Sequence, residues 1–262
     1  MPRIDPSLLL VVSDLVRGLR ALGVPFGVVG ALVPELLLDA RSVDVTNDAD
    51  VVVVVESLAD FEVLKDRLAD YGFTRTSRPH RLQHREGGLV DILPFSKAIA
   101  PNGYLELEDG VILNMAGFVH VVPNAIATPI EGGLTLPLTP LPLYVLLKLV
   151  AFSDRQAPKD LASALHCLEH YHEEDDRRFT AEHEGEGVPF EFTSAFLLGL
   201  DSRRFLDQPL GQTVLTVLER LGDPDAATVG IVARERGRFV RDDEERTEIF
   251  SHFRWYRRGI GL

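Results

Sequence analysis

Three aspartates in apolar surroundings are the side chains of this chain best suited to do chemistry. Asp48 and Asp50 stand two residues apart in the run "VDVTNDADVVVVV", and Asp91 interrupts the apolar segment "GGLVDILPF". Because side chains alternate between the two faces of a strand, Asp48 and Asp50 point to one side and Ala49 to the other. Two close carboxylates repel each other unless a cation neutralises them. The pattern therefore indicates a positively charged partner at the entrance of this strand.

A divalent metal ion is the partner that such carboxylates favour. Mg²⁺ (or Mn²⁺) prefers oxygen ligands and takes few protein carboxylates, which leaves room for water and phosphate oxygens. If the strand of Asp91 lies beside the valine strand, the three acids are placed to hold two ions about 3.5–4 Å apart, an arrangement that serves phosphoryl transfer. The simpler interpretation is that Asp48 and Asp50 end the strand in a polar turn. Asp91 weakens it, because an unpaired buried carboxylate is costly.

The elements that must position these acids follow one another in a simple order. A helix capped by Asp5, a strand "VPFGVVG", a helix "ALVPELLLDA" and the valine strand come first, and Ser57 with Asp60 resembles a capping box for the next helix. We expect that helix to bury five residues: Leu58, Phe61, Leu64, Leu68 and Tyr71. Short strands and turns then continue to about Leu138, and helices follow. The order predicts an α+β fold, with a small mixed-sheet domain, α/β in character, over residues 1–138 and a helical domain over residues 139–262.

Composition sets limits on the class of protein. The 262 residues are 45% hydrophobic and 26% charged, which is typical of globular proteins. The apolar runs are too short to span a membrane and the N-terminus lacks the features of a signal peptide, so we expect a cytoplasmic protein with no membrane partner. The single cysteine, Cys167, agrees with a reducing compartment and is expected in the core. The net charge of −13 argues against a general nucleic-acid-binding surface, but not against a local basic cleft.

The order of the motifs resembles the polymerase-beta-type nucleotidyltransferase superfamily. That family's pattern is an apolar strand ending in two small residues, a helix, a strand with D-x-D or D-x-E, and a third acid on a later strand. The corresponding segments here are "VVGAL", "TNDADVVVV" and "LVDIL". More narrowly, "T-x-D-x-D" and the later "LLKLVAFSDRQAPKDLASAL" resemble the AbiEii/AbiGii abortive-infection toxin family of nucleotidyltransferases. The correspondence spans roughly residues 24–171.

The resemblance implies roles for individual residues. Asp48, Asp50 and Asp91 would bind the catalytic Mg²⁺ ions, and Asp91 would also help to deprotonate the acceptor hydroxyl. Gly30 and Ala31 would form a turn that approaches the triphosphate of the NTP, next to the start of the following helix. The other nucleotide-binding positions that the resemblance implies are these: Thr46, Lys148, Arg155, Lys159 and Asp160.

The basic residues of the helical half also have simpler interpretations. Lys148 stands alone in an apolar helix, where it either reaches a triphosphate oxygen or extends its ammonium group to the surface. Lys159 and Asp160 either close the nucleotide site or simply begin the helix "APKDLASAL". The sequence leaves these alternatives open.

The resemblance implies an enzyme that moves a nucleoside monophosphate from an NTP onto an acceptor hydroxyl. The toxin family indicates an RNA acceptor, such as the end of a tRNA, and an antitoxin protein as a partner. The acidic surface gives RNA little support, so a small hydroxylated molecule, as in aminoglycoside-modifying relatives, is an alternative acceptor. A catalytically silent protein that binds a nucleotide or a partner is a third alternative, because Ala31 and Asp44 depart from the family's preferred residues.

Two further polar segments allow more than one interpretation. "RPHRLQHRE" places Arg81 and Arg85 on one face of a strand and two histidines on the other, and this hairpin either guides an anionic substrate or is solvated. His166 and His170 are helically spaced in "HCLEHYHEEDD", but the sequence shows no distant set of ligands to complete a metal site. We therefore interpret this segment as a solvated helix end.

Overall fold

The chain folds into two compact units. The computed structural model describes residues 5–40, 48–108, 110–172, 176–180, 186–235 and 243–262. One unit comprises Met1–Leu37 and Ser42–Pro140, and the other comprises Leu38–Arg41 and Leu141–Leu262. The first contains helices and a mixed sheet and the second is helical, so the predicted α+β fold class is confirmed. No helix in the described ranges is both long and apolar enough to cross a membrane.

In its described residues, the first unit has helices at its start and strands throughout. The α-helices are α1 (Pro6–Ala21), α2 (Leu32–Leu37) and α3 (Leu58–Arg67). The strands are β1 (Phe26–Val28), β2 (Asp48–Val54), β3 (Phe73–Arg75), β4 (Arg81–His84), β5 (Gly87–Phe95), β6 (Tyr104–Glu106), β7 (Ile112–Asn114), β8 (Ile126–Pro129) and β9 (Thr135–Leu138). The sequence does not single out β8 and β9, because both are short and contain a proline.

Seven of these strands form one mixed sheet. Their order is β3-β4-β5-β2-β1-β9-β8, and β6 pairs with β7 in a separate hairpin. β2 runs parallel to β5, and β1 runs parallel to β9, whereas the other neighbouring pairs are antiparallel. The valine strand β2 is thus central, which explains why its valines are buried on both faces of the sheet.

Capping residues begin two of the helices as predicted. The Asp5 side chain accepts a hydrogen bond from the amide of Ser7 at 2.9 Å, and the Ser57 hydroxyl accepts one from the amide of Asp60 at 3.1 Å. The predicted buried face of α3 is wrong at Leu58, which is 37% exposed. Leu58 is the first residue of the helix, and Ala59 and Asp60 of the same turn are exposed as well.

The second unit buries apolar faces between helices. The α-helices of its described residues are α4 (Leu141–Arg155), α5 (Pro158–His170), α6 (Thr193–Ser202), α7 (Gln208–Glu219), α8 (Ala227–Glu235) and α9 (Asp243–Ile260). Cys167 of α5 is fully buried in the core, as predicted, and burial raises the pKa of its thiol well above its ordinary value. Phe253 and Tyr256 of α9 are also buried, so the aromatic side chains of this helix pack into the core.

Two glycines let α6 and α9 approach each other closely. A Cβ atom added at Gly199 would lie 2.4 Å from the carbonyl oxygen of Tyr256, and one added at Gly259 would lie 2.2 Å from the carbonyl oxygen of Phe196. Both obstacles are backbone atoms, which a side-chain rotation does not remove. The contact between these helices therefore depends on glycine at both positions.

We predict that Gly259→Ala destabilises the protein by about 1–3 kcal/mol, because the new methyl group forces the two helix backbones apart. Urea denaturation followed by far-ultraviolet circular dichroism measures the change. Gly211→Ala is the matched control, since Gly211 is also helical but has no neighbour within 4 Å of the added Cβ. Because alanine has a higher helix propensity than glycine, Gly211→Ala should stabilise α7 by up to about 1 kcal/mol. Equal effects of the two substitutions would contradict this account of the α6–α9 contact.

Candidate active site

The three aspartates lie on one face of two neighbouring parallel strands. β2 and β5 pair in parallel with Asp50 directly opposite Asp91, and Asp48 precedes Asp50 by two residues on the same face. Ala49 and Val90 alternate with these acids and are buried on the opposite face. The strand arrangement on which the three-acid interpretation depended is therefore present.

Local sequence explains why the acids sit at this part of the sheet. The valines from Val51 to Val53 are buried in the middle of the sheet, where β2 lies between β5 and β1. Asp48 opens the strand and its side chain is 42% exposed, whereas the side chain of Asp91 lies within β5 and is only 14% exposed. The row therefore runs from a solvent-accessible carboxylate to a mostly buried one.

The predicted glycine turn packs directly against Asp50. Gly30 has a φ of +63°, and a Cβ added there would lie 1.9 Å from Oδ2 of Asp50. The amide of Val29 donates a hydrogen bond of 2.9 Å to the carbonyl oxygen of Asp50. Glycine is needed here both for the left-handed backbone and for the close approach of the carboxylate. Gly30 therefore lies beside Asp50, in the turn between β1 and the six-residue helix α2, and the approach of this turn to a triphosphate stays a prediction.

Among the described residues, Arg81 brings a positive charge to the aspartates. Its Nε donates to Oδ1 of Asp91 and its Nη2 to Oδ2 of Asp91, each at 2.6 Å, and Nη2 lies 3.8 Å from Oδ2 of Asp48. The hydrogen bonds to Asp91 raise the pKa of Arg81, and so do the charges of Asp91, Asp48 and Asp50, although burial acts in the opposite direction. Two parallel hydrogen bonds of this kind fix the plane of the carboxylate as well as its charge.

The two faces of β4 contact different acidic residues. Arg81 pairs with Asp91 across the antiparallel β4–β5 ladder, whereas His84 faces the core, where its Nε2 lies 3.2 Å from Oδ2 of the buried Asp14. The interpretation of this hairpin as simply solvated is wrong at Arg81 and His84, because each side chain contacts an aspartate of a neighbouring element. Alternation along β4 places Arg81 and His84 on opposite faces, but only the register with β5 shows that Arg81 meets Asp91.

The donors at this edge suit a hard divalent cation. Carboxylate oxygens are the ligands that Mg²⁺ prefers, and the bare backbone of Gly30 leaves the space that a Cβ would fill beside Asp50. Arg81 uses both oxygens of Asp91, so a cation at this carboxylate would share it with the guanidinium group. In the described part of the chain, two groups of three histidine or acidic side chains have all their ligand atoms within 4.8 Å of one another, and both lie in the helical unit. The three aspartates do not form such a group.

The remaining predicted nucleotide-binding residues lie in the helical unit or outside the described residues. Asp160 is fully buried and binds two of them, with Nε of Arg155 at 2.7 Å and Nζ of Lys148 at 3.4 Å from its oxygens. Lys159 is exposed in the first turn of α5. Thr46 lies outside the described residues. The geometry of the helical unit thus gives Lys148 and Arg155 a common acidic partner.

Comparisons with known proteins add little to this geometry. No protein-family model matches the chain, and no curated protein matches it. One solved structure that matches is the CdnE cyclic dinucleotide synthase of Elizabethkingia meningoseptica with GTP and Apcpp. It is 10% identical, with 96% of this chain and 91% of that chain covered and a TM-score of 0.29. A score this low does not establish a shared fold, so the site has to be judged on its own residues.

We predict that Arg81→Met destabilises the protein by about 1–3 kcal/mol, because it leaves the mostly buried Asp91 carboxylate without its hydrogen-bond donors. Chemical denaturation in metal-free buffer measures this change. Arg78→Met, which alters an exposed arginine on the turn before β4, is the control and should change stability by less than about 0.5 kcal/mol.

A double-mutant cycle assigns the effect of Arg81 to its partner. In an Asp91→Asn background, Arg81→Met should cost clearly less than in the native protein, because the charge that needed neutralising is already gone. Equal costs in the two backgrounds would show that the guanidinium group does not stabilise Asp91.

Proposed function

We propose that this chain is an Mg²⁺-dependent nucleotidyltransferase that moves a nucleoside monophosphate from an NTP onto an acceptor hydroxyl. The observation that carries the proposal is the row of Asp48, Asp50 and Asp91 on adjacent parallel strands, beside the glycine turn at Gly30. Acidic side chains in direct register repel each other, so such a row needs positive charge beside it, and metal ions would add to the charge that Arg81 supplies at Asp91. A site that handles metal-bound triphosphate makes use of this concentration of negative charge.

The chain's own residues divide the work at this site. Asp48 and Asp50 would hold the metal ions, and Gly30 with Ala31 would allow the triphosphate to approach the backbone. The two ions would supply an activated acceptor hydroxyl and charge stabilisation of the departing pyrophosphate. Asp91 would share one of the ions and help to deprotonate the acceptor hydroxyl, through a carboxylate lone pair that the two hydrogen bonds from Arg81 do not use. Thr46, Lys148, Arg155 and Lys159 remain proposed nucleotide-binding residues.

The acceptor and the setting of the reaction are also proposals. The motifs shared with the AbiEii/AbiGii toxins favour an RNA acceptor, such as a tRNA end, in the cytoplasm, with an antitoxin as the protein partner. The net charge of −13 favours a small hydroxylated acceptor instead. The salt dependence of activity separates the two, because binding of a polyanionic acceptor weakens steeply as salt is added.

A catalytically silent nucleotide-binding protein is the second candidate, and the ion pair between Arg81 and Asp91 favours it. Both oxygens of Asp91 accept hydrogen bonds from the guanidinium group, which supplies the positive charge that a metal ion would otherwise provide. A protein of this kind would bind NTP without a metal ion and would transfer nothing.

Calorimetric titration with the four NTPs, with and without Mg²⁺, tests the proposal. We expect binding that requires Mg²⁺ and that weakens by more than about tenfold in Asp48→Asn/Asp50→Asn, since each lost charged interaction contributes about 1.5–3 kcal/mol. Asp70→Asn, at an exposed acid of the same unit, is the control and should bind like the native protein. Labelled NTP with tRNA and with aminoglycosides then identifies the acceptor.

The outcomes separate the two candidates. Metal-dependent binding followed by Asp50-dependent transfer supports the enzyme. Equal NTP binding in the presence of a chelator and in Asp48→Asn/Asp50→Asn, with no transfer to any acceptor, supports the silent protein. If none of the four NTPs binds, both candidates are contradicted and the carboxylates are structural.

A further inference from the structure

Four side chains of metal-binding types from α5 and α9 gather around Glu169 in the helical unit. The ligand atoms of His166, Glu169 and His170 all lie within 4.8 Å of one another. The ligand atoms of Glu169, Glu248 and His252 do the same. Glu248 and His252 of α9 are neighbours of Glu169 that the sequence did not reveal. The interpretation of this segment as a solvated helix end is therefore incomplete.

The three residues of α5 share one face of the helix. Positions three and four residues apart lie above one another on a helix, so His166, Glu169 and His170 project in one direction. All three are half-buried, and the rings of His166 and His170 lie 4.7 Å apart between centroids. Glu169 and His170 belong to the last turn of α5, where the helix dipole favours a cation.

The charges around Glu169 also point to a cation. The carboxylates of Glu169 and Glu248 have oxygen atoms within 4.8 Å of each other, a separation at which two negative charges destabilise one another. His252 is buried, and its Nδ1 lies 3.0 Å from the carbonyl oxygen of Glu248. A carbonyl oxygen only accepts, so Nδ1 donates this hydrogen bond, in the manner that orients histidines around metal ions.

We propose that His166, Glu169 and His170 bind one divalent transition-metal ion of the zinc type. Two imidazoles with one carboxylate suit Zn²⁺ rather than Mg²⁺. Ligand atoms around a tetrahedral zinc ion lie about 3.3 Å apart, so donors that already lie within 4.8 Å need only small side-chain rotations. Glu248 and His252 position Glu169 from the other side and connect the site to α9.

The site is independent of the proposed nucleotidyl transfer. None of its ligands belongs to the aspartate row, and its nitrogen donors select a different class of metal ion. The bound ion would hold the last two turns of α5 together and stabilise the folded state by mass action. An excess of Mg²⁺ should therefore leave it in place.

Calorimetric titration of the chelator-treated full chain with ZnCl₂ in excess Mg²⁺, together with the shift in Tm, tests this site. We expect one Zn²⁺ per chain and a higher Tm with Zn²⁺. The affinity should fall at least about tenfold in His166→Gln/His170→Gln and in Glu169→Gln, which changes a half-buried residue to one of the same shape. His172→Gln, a histidine outside both groups, and Asp48→Asn/Asp50→Asn should bind Zn²⁺ like the native chain.

The variants also locate the ion. The proposal is supported if the α5 variants lose Zn²⁺ affinity while their Tm without zinc stays close to the native value. A smaller loss of Zn²⁺ affinity in His252→Gln supports the positioning of Glu169 by α9. Three outcomes would overturn it: no binding of Zn²⁺, native affinity in Glu169→Gln and in the double histidine variant, or loss confined to Asp48→Asn/Asp50→Asn. Loss in His252→Gln with native binding in His166→Gln/His170→Gln would place the ion on α9 and contradict it too.

Discussion

The mixed-sheet unit is organised by the need to neutralise carboxylates that face each other across neighbouring strands. Asp50 and Asp91 are in register on β2 and β5, only one strand spacing apart, and Asp48 extends the same row. Left alone, these charges would oppose the pairing of the two strands. Arg81 meets Asp91 from the next strand with two hydrogen bonds, so the β4–β5 hairpin contributes the charge that makes the β2–β5 pair stable.

The same row can take positive charge from the protein and from a bound cation. In the described part of the chain Arg81 supplies such a charge, and its own pKa rises because of its hydrogen bonds to Asp91 and the charges of all three aspartates. In a metal-loaded site, cations at Asp48 and Asp50 would share the task, and Arg81 would keep only the buried end of the row. The difference in exposure supports this division, since Asp48 is open to solvent and Asp91 is mostly covered. The sheet therefore holds the acids in place before any ligand arrives.

Sequence patterns predict what depends on near neighbours in the chain, and they do not predict what depends on register or helix packing. Alternation placed Asp48 and Asp50 on one face, as found, whereas the contact of Gly30 with Asp50 became visible only in the fold. The partnership of Arg81 with Asp91 needed the register of the β4–β5 hairpin, which the alternation in β4 does not specify. Likewise, the i, i+4 spacing of His166 and His170 is visible in the sequence, but their proximity to α9 follows only from packing within the helical unit. Leu58 was misjudged because periodicity does not show where a buried face ends.

The central claim is that the aspartate row holds metal ions for a nucleotide, and a crystal grown with Mn²⁺ and a non-hydrolysable NTP analogue tests it most directly. Anomalous diffraction locates Mn²⁺ independently of the protein atoms. The account predicts Mn²⁺ about 2.1 Å from carboxylate oxygens of Asp48 and Asp50, with the triphosphate beside Gly30. The account would be contradicted by a crystal with no anomalous peak at Asp48 or Asp50. In that crystal the analogue would lie elsewhere and Arg81 would still bind Asp91.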